Sequence, residues 1–135
     1  MLTKEGNVYD HFSQHWPWFS ARVENKVGPG TPDIYYSNEH GHGNWIEIKS
    51  IQPFACFVLI RPAQVAWHKH CWAQGGCSLL LVECDAHLFI FLGKQLSARM
   101  PLEKAYQSTM WKNIHQFISP TTANVDRWRR YRNNE

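Results

Sequence analysis

Asp33-Ile34-Tyr35-Tyr36-Ser37 and Trp45-Ile46-Glu47-Ile48-Lys49-Ser50 are two short runs of β-forming residues on either side of a polar, glycine-containing segment, Asn38 to Asn44. The preceding Gly28-Pro29-Gly30-Thr31-Pro32 must be a turn. Together they predict a β-hairpin. Residues two apart on a strand share a face, so Glu47 and Lys49 project together while Ile46 and Ile48 go to the other side. If the hairpin folds about His40 and Gly41, Asp33 lies across from residue 47, 48 or 49, with cross-strand neighbours ~5 Å apart. A bulge or an asymmetric loop would move that register by one.

Outward from the hairpin, Thr3 to about His15 carries a helical stripe (Val8, His11, Phe12, with Leu2 and Trp16 near) closed by Pro17. Trp18 to Glu24 alternates as a strand, with Phe19, Ala21 and Val23 as its apolar side. After an irregular stretch, Gln52 to Arg61, Pro62 occupies a natural first helical position. Ala63 to Gln74 continues as a helix stopped by Gly75-Gly76, with Val65, Trp67, His68, Cys71 and Trp72 on its buried side. Cys77 to Cys84 and Leu88 to Leu92 are nearly continuous apolar runs joined by Asp85-Ala86, as central strands covered on both faces would be. Glu103 to Ile118 reads as a last helix, striped by Tyr106, Met110, Ile114 and Phe117 and ended by Ser119-Pro120. The expected order is α-β-β-β-α-β-β-α: an α/β fold with a mixed central sheet flanked by helices. Residues 1–135 form one domain, its core at about 3–92 and its C-terminal helix and basic tail at about 103–135.

At 135 residues, 44% of them apolar and 19% charged, the chain can bury a substantial core. No apolar run approaches the roughly 20 residues of a bilayer span, and no basic-then-apolar leader opens the chain, so a cytoplasmic protein is expected. Cys56, Cys71, Cys77 and Cys84 lack zinc-ribbon or redox spacing and are expected as reduced, mostly buried thiols. The formal charge is only +3, but Arg127, Arg129, Arg130 and Arg132 surround Trp128 and Tyr131 near the C-terminus, which suits a polyanionic partner or a solvated tail.

Two carboxylates held close on one hairpin repel each other unless a cation lies between them, and a hard divalent ion prefers oxygen ligands. Mg²⁺ or Mn²⁺, as one or two ions, is therefore expected at Asp33 and Glu47. Such an ion takes phosphate oxygens and lowers the pKa of an attacking water, while Lys49 would orient that water and offset transition-state charge. Pro-Asp alone is common in turns, and Glu-Ile-Lys alone suits any half-exposed strand; their ordered combination carries the inference.

Gly30-Thr31-Pro32-Asp33, Trp45-Ile46-Glu47-Ile48-Lys49 and Leu59-Ile60-Arg61-Pro62-Ala63-Gln64, then Gly75-Gly76 and the buried Leu79 to Val82, resemble the PD-(D/E)xK nucleases. Within them the pattern is similar to VRR-NUC domains and archaeal-type Holliday junction resolvases. The likeness runs from Glu5 to about Cys84. It implies a restriction-endonuclease-like αβββαβ core, with Asp33 and Glu47 as metal ligands, the Ile48 backbone carbonyl completing the protein's share, and Lys49 as the catalytic lysine. It also implies that Gln64 is the helix glutamine near the site and that Glu5 is the first-helix acid, with Glu24 its rival. The implied activity is Mg²⁺-dependent endonucleolytic cleavage of DNA, junction, flap or duplex; the alternative is a catalytically silent nucleic-acid-binding module of the same fold. Resolvases act as homodimers, so a homodimer is implied, with Leu88 to Leu92 or the last helix as candidate surfaces.

His40-x-His42 and His68-x-His70 do not have the spacing of metal pairs, since histidines two apart share no helix face. His68 or His70, with Arg22, Lys26 and Arg61, could instead reach a phosphate. Trp67, Trp72 and Trp111 sit at core-like spacing and are expected to pack rather than to stack on bases.

Overall fold

The computed structural model describes residues 4–23, 28–37 and 43–114, with side chains from Val8 onward in the first stretch. The elements are α1 (Lys4–His15), β1 (Ser20–Arg22), β2 (Ile34–Ser37), β3 (Gly43–Ile51), β4 (Phe57–Leu59), α2 (Pro62–Ala73), β5 (Ser78–Cys84), β6 (His87–Leu92), β7 (Arg99–Pro101) and β8 (Gln107–Thr109), with short 3₁₀ turns at Gly93–Gln95, Leu102–Lys104 and Trp111–Asn113. Six strands form one mixed sheet in the order β1-β2-β3-β5-β6-β8, while β4 and β7 pair separately. This is the α/β class expected, with helices packed on a mixed sheet.

The expected hairpin is β2-β3, antiparallel, with Ile34 opposite Ile46 and Ser37 opposite Gly43. Asp33 stands immediately before the first pair of this register and accepts the Ile48 N–H, so it lies across from the 47–48 end of the expected range. β3 then runs parallel to β5, Glu47 beside Leu80 and Lys49 beside Val82. A parallel neighbour requires a crossover, and α2 supplies it. Five consecutive residues of β5, Ser78 to Val82, are buried, as a strand covered on both faces should be.

Strand alternation sorts the interior into two layers. Ile34, Tyr36, Ile46, Ile48, Leu79, Leu81, Leu88 and Ile90 pack with Val8 and Phe12, one turn apart on α1. On the opposite face Leu80, Val82 and Phe91 pack with Val58, Ile60, Leu96 and Met100. Glu47 and Lys49 belong to this second face, so the candidate chemistry lies on the side away from α1.

The sequence expectations need correction at four places. The last helix does not begin at Glu103: Glu103 lies in a 3₁₀ turn, Gln107–Thr109 pairs with the outer edge of β6, Met110 is exposed, and helical backbone appears only at the buried Ile114, after a 3₁₀ turn at Trp111–Asn113. A sheet edge offering unpaired backbone groups outcompetes a helical stripe whose Ser108 and Thr109 suit a strand. Phe117 and the arginine-rich tail lie outside the described residues. β6 is paired by β5 along its length and by β8 over Leu88 to Ile90, and Leu88, Ile90, Phe91 and Leu92 are buried, so Leu88 to Ile90 presents no open strand edge. The stretch Gln52 to Arg61 is not wholly irregular, since Phe57–Leu59 is a strand. Phe19 is 59% exposed rather than buried, and Cys56 is exposed, while Cys84 is buried and all four thiols are free. No described helix is long and apolar enough to cross a membrane.

Candidate active site

The turn before β2 sets the position of Asp33. Thr31 is buried, and both its backbone N–H and its hydroxyl donate to the Gly28 carbonyl, at 3.4 and 2.7 Å. Gly30 takes φ +83°, and a Cβ there would overlap the Ala63 carbonyl in the first turn of α2. The turn is therefore seated directly on the helix, which only glycine permits. Asp33 leaves it with its Oδ2 accepting the Ile48 N–H at 2.9 Å. This bond ties the carboxylate across the hairpin to the strand carrying Glu47 and Lys49.

Glu47 is 1% exposed and Lys49 half-buried, two positions apart on β3 and hence on one face. Gln64 is buried on α2, and its Oε1 accepts the Arg61 N–H at 3.1 Å, capping the helix start. A solvent-facing glutamine is thus excluded, and its amide NH₂ remains the donor end. Gln64→Ala is expected to lower the unfolding free energy by about 1 kcal/mol through loss of this cap, read from the urea midpoint; an unmoved midpoint would show the cap to be idle. Glu5 lies in α1, but its side chain, like all of Glu24 and Lys26, lies outside the described residues, as do His40 and His42.

Three arrangements were not foreseen from the sequence, the first being the contacts of His68. His68, one turn after Gln64, is fully buried with Nε2 3.9 Å from Glu47 Oε1 and Nδ1 sharing a 2.6 Å hydrogen bond with Ser78 Oγ. Burial pulls the imidazole down to about 4, partly opposed by the Asp33 carboxylate, so it is neutral near pH 7. Ser78 comes from β5, where it stands beside Trp45, two residues before Glu47. No spacing along the chain links residues 47, 68 and 78. The third feature is aromatic: Phe19, Tyr35, Trp45 and Trp67 touch in sequence at centroid distances of 6.4, 5.2 and 5.6 Å. Trp67 is only half-buried, so of the tryptophans on α2 only Trp72 is core.

The groups that could serve a cation here are Asp33, Glu47 and the Ile48 carbonyl. Among the described residues no group of three or more His, Cys, Asp or Glu side chains could hold a metal ion. Two carboxylates and a carbonyl fit Mg²⁺, which retains several waters and fills its remaining positions with them.

No protein-family model matches the chain, and no curated protein matches it by sequence. Solved structures do match. One is a Holliday junction resolvase, Hjc, from the hyperthermophilic archaeon Archaeoglobus fulgidus, with a TM-score of 0.60 over 83% of this chain and 95% of that one. Identity is 13%, so the likeness is one of fold. The chain shares the fold of that resolvase.

Proposed function

We propose that this protein is a divalent-metal-dependent endonuclease of the PD-(D/E)xK type that cuts DNA, with branched DNA as its preferred substrate. The observation that carries this is the hydrogen bond from Ile48 N–H to Asp33 Oδ2, which ties the Pro-Asp turn to the Glu-x-Lys strand. The fold shared with an archaeal junction resolvase supports the same reading.

Asp33, Glu47 and the Ile48 carbonyl would hold Mg²⁺ or Mn²⁺. When bound, the ion polarises the scissile phosphodiester and lowers the pKa of a water molecule. Lys49 lies beside Glu47 and contributes a positive charge where charge gathers on the phosphoryl oxygens, and it orients the attacking water. Gln64, its oxygen engaged by the helix start, has an amide to offer to a phosphate or to that water. The half-buried rings of Trp45, two residues before Glu47 on β3, and Trp67, next to His68 on α2, touch each other and suit contact with bases that branching leaves unstacked. A four-way junction needs two symmetric cuts, so two copies of the chain are expected to act together as a homodimer, which sedimentation velocity would detect.

Labelled four-way, flap and linear duplex DNA of one sequence, each incubated with Mg²⁺, Mn²⁺ or EDTA, test the function. Cutting is expected with either ion, none with EDTA, and faster cutting on branched DNA. Cutting that persists in EDTA would sink the proposed chemistry. Binding without cutting under any metal would turn the assignment to a silent DNA-binding module.

A further inference from the structure

We propose that His68 is a positioning residue that holds the Glu47 carboxylate in its metal-binding orientation by donating Nε2–H to it, with Ser78 fixing the imidazole from behind. The inference rests on the assignment of Glu47 as a metal ligand. It uses three elements that meet only in the folded chain: β3 for Glu47, α2 for His68 and β5 for Ser78.

Both His68 and Ser78 are fully buried, and the 2.6 Å contact between Nδ1 and Oγ leaves the ring one orientation. The free choice is the tautomer. If Nδ1 carried the proton, the Nε2 lone pair would face a carboxylate oxygen 3.9 Å away, with Asp33 adding to the negative potential at the ring. Repulsion disfavours that arrangement. With the proton on Nε2, the ring presents N–H to Glu47, and the Ser78 hydroxyl donates to Nδ1. At 3.9 Å the Nε2 atom is beyond hydrogen-bond reach of Oε1, and a carboxylate shift of about 1 Å closes the gap. No described polar group of the protein hydrogen-bonds Nε2, although the atom is wholly buried. A neutral donor suits this position, since it steadies the carboxylate without adding a second cation beside the metal. Gly93 completes the pocket: a Cβ there would overlap Ser78 Oγ and come within 2.8 Å of His68 Nδ1. The backbone at Gly93 thus presses directly on the serine–histidine pair.

The test measures Mn²⁺ affinity by electron paramagnetic resonance of the free ion, in the absence of DNA, for wild type, Glu47→Gln, His68→Phe, His68→Gln and Ser78→Ala. His68→Phe is expected to weaken Mn²⁺ binding about 10- to 100-fold, as removal of a partner of a metal ligand does. His68→Gln, which keeps an N–H near the Nε2 position, is expected to restore most of it, and Ser78→Ala to fall between. Long-range ¹H–¹⁵N spectra are expected to show His68 as the neutral Nε2–H tautomer, its Nε2 proton shifting on addition of Mg²⁺. Should His68→Phe fail to fold, Ser78→Ala and the tautomer spectrum decide. Wild-type Mn²⁺ affinity in His68→Phe and Ser78→Ala, or an Nδ1–H tautomer, would overturn the proposal while Glu47→Gln still weakens binding. If Glu47→Gln binds Mn²⁺ like wild type, the assignment of Glu47 fails, and this inference with it.

Discussion

Glu47→Gln is expected to lower Mg²⁺-dependent DNA cleavage by at least ~10³-fold while leaving the fold intact. Glutamine has the shape of glutamate and keeps one oxygen, so the 1%-exposed site loses charge but not volume. A ligand's charge stabilises the bound cation and, through it, the charged transition state; several kcal/mol of such stabilisation corresponds to about three powers of ten in rate. The same change removes one of the two carboxylates of the proposed site. Without metal the variant should therefore unfold at a temperature no lower than wild type, because a buried amide is easier to accommodate than a buried anion beside Asp33. With Mn²⁺ added, wild type should gain thermal stability by mass action and Glu47→Gln should gain little. The three measurements separate a metal ligand from a structural residue. A variant that loses activity together with metal-free stability would mark Glu47 as structural, and undiminished cleavage would dismiss it from the site.

The hairpin was legible because strand periodicity allows few alternatives. Ile46 and Ile48 had to be buried together, so Glu47 and Lys49 had to share the other face, and the loop length confined Asp33 to three partners; it lies just beyond the Ile34–Ile46 pair and accepts the Ile48 N–H. α2 and β5 were legible for a similar reason, being bounded by Pro62 and Gly75-Gly76 and filled with an unbroken apolar run. Competition between elements was not legible. Tyr106, Met110 and Ile114 recur at helical spacing, yet the open edge of β6 takes Gln107–Thr109 as a strand, and nothing local announces that edge. The short β4 and β7 exist only because they pair with each other across some forty residues. The candidate site divides along the same line. Asp33, Glu47 and Lys49 lie on one supersecondary unit and could be aligned by counting, whereas Ser78 reaches His68 from a separate element. Gln64 was placed near the site by resemblance alone; its cap on its own helix is something the Arg-Pro-Ala-Gln order signals only once the helix start is known.

Gly30→Ala is expected to cost about 3 kcal/mol or more of stability and to cut activity about a hundredfold wherever the variant remains folded. Two separate penalties add at this position. At φ +83° an L-residue is strained by roughly 1–2 kcal/mol, and the new Cβ overlaps the backbone carbonyl of Ala63, which has no rotamer with which to yield. Relief requires the turn and the first turn of α2 to separate, which costs a further 1–3 kcal/mol or so in lost packing. That separation is also what damages function. Asp33 sits three residues beyond Gly30 and Gln64 lies in the facing helix turn, so moving the two apart displaces both residues, and a misplacement of about 1 Å can cost 10²-fold in rate. Gly28→Ala is the control, since a Cβ there meets nothing within 4 Å. It should be neutral, or slightly stabilising because alanine narrows the unfolded ensemble. Thermal unfolding and single-turnover cleavage of the two variants side by side give the answer. If Gly30→Ala behaves like Gly28→Ala in both, the contact between turn and helix does not position Asp33, and the hydrogen bond from Ile48 must hold it alone.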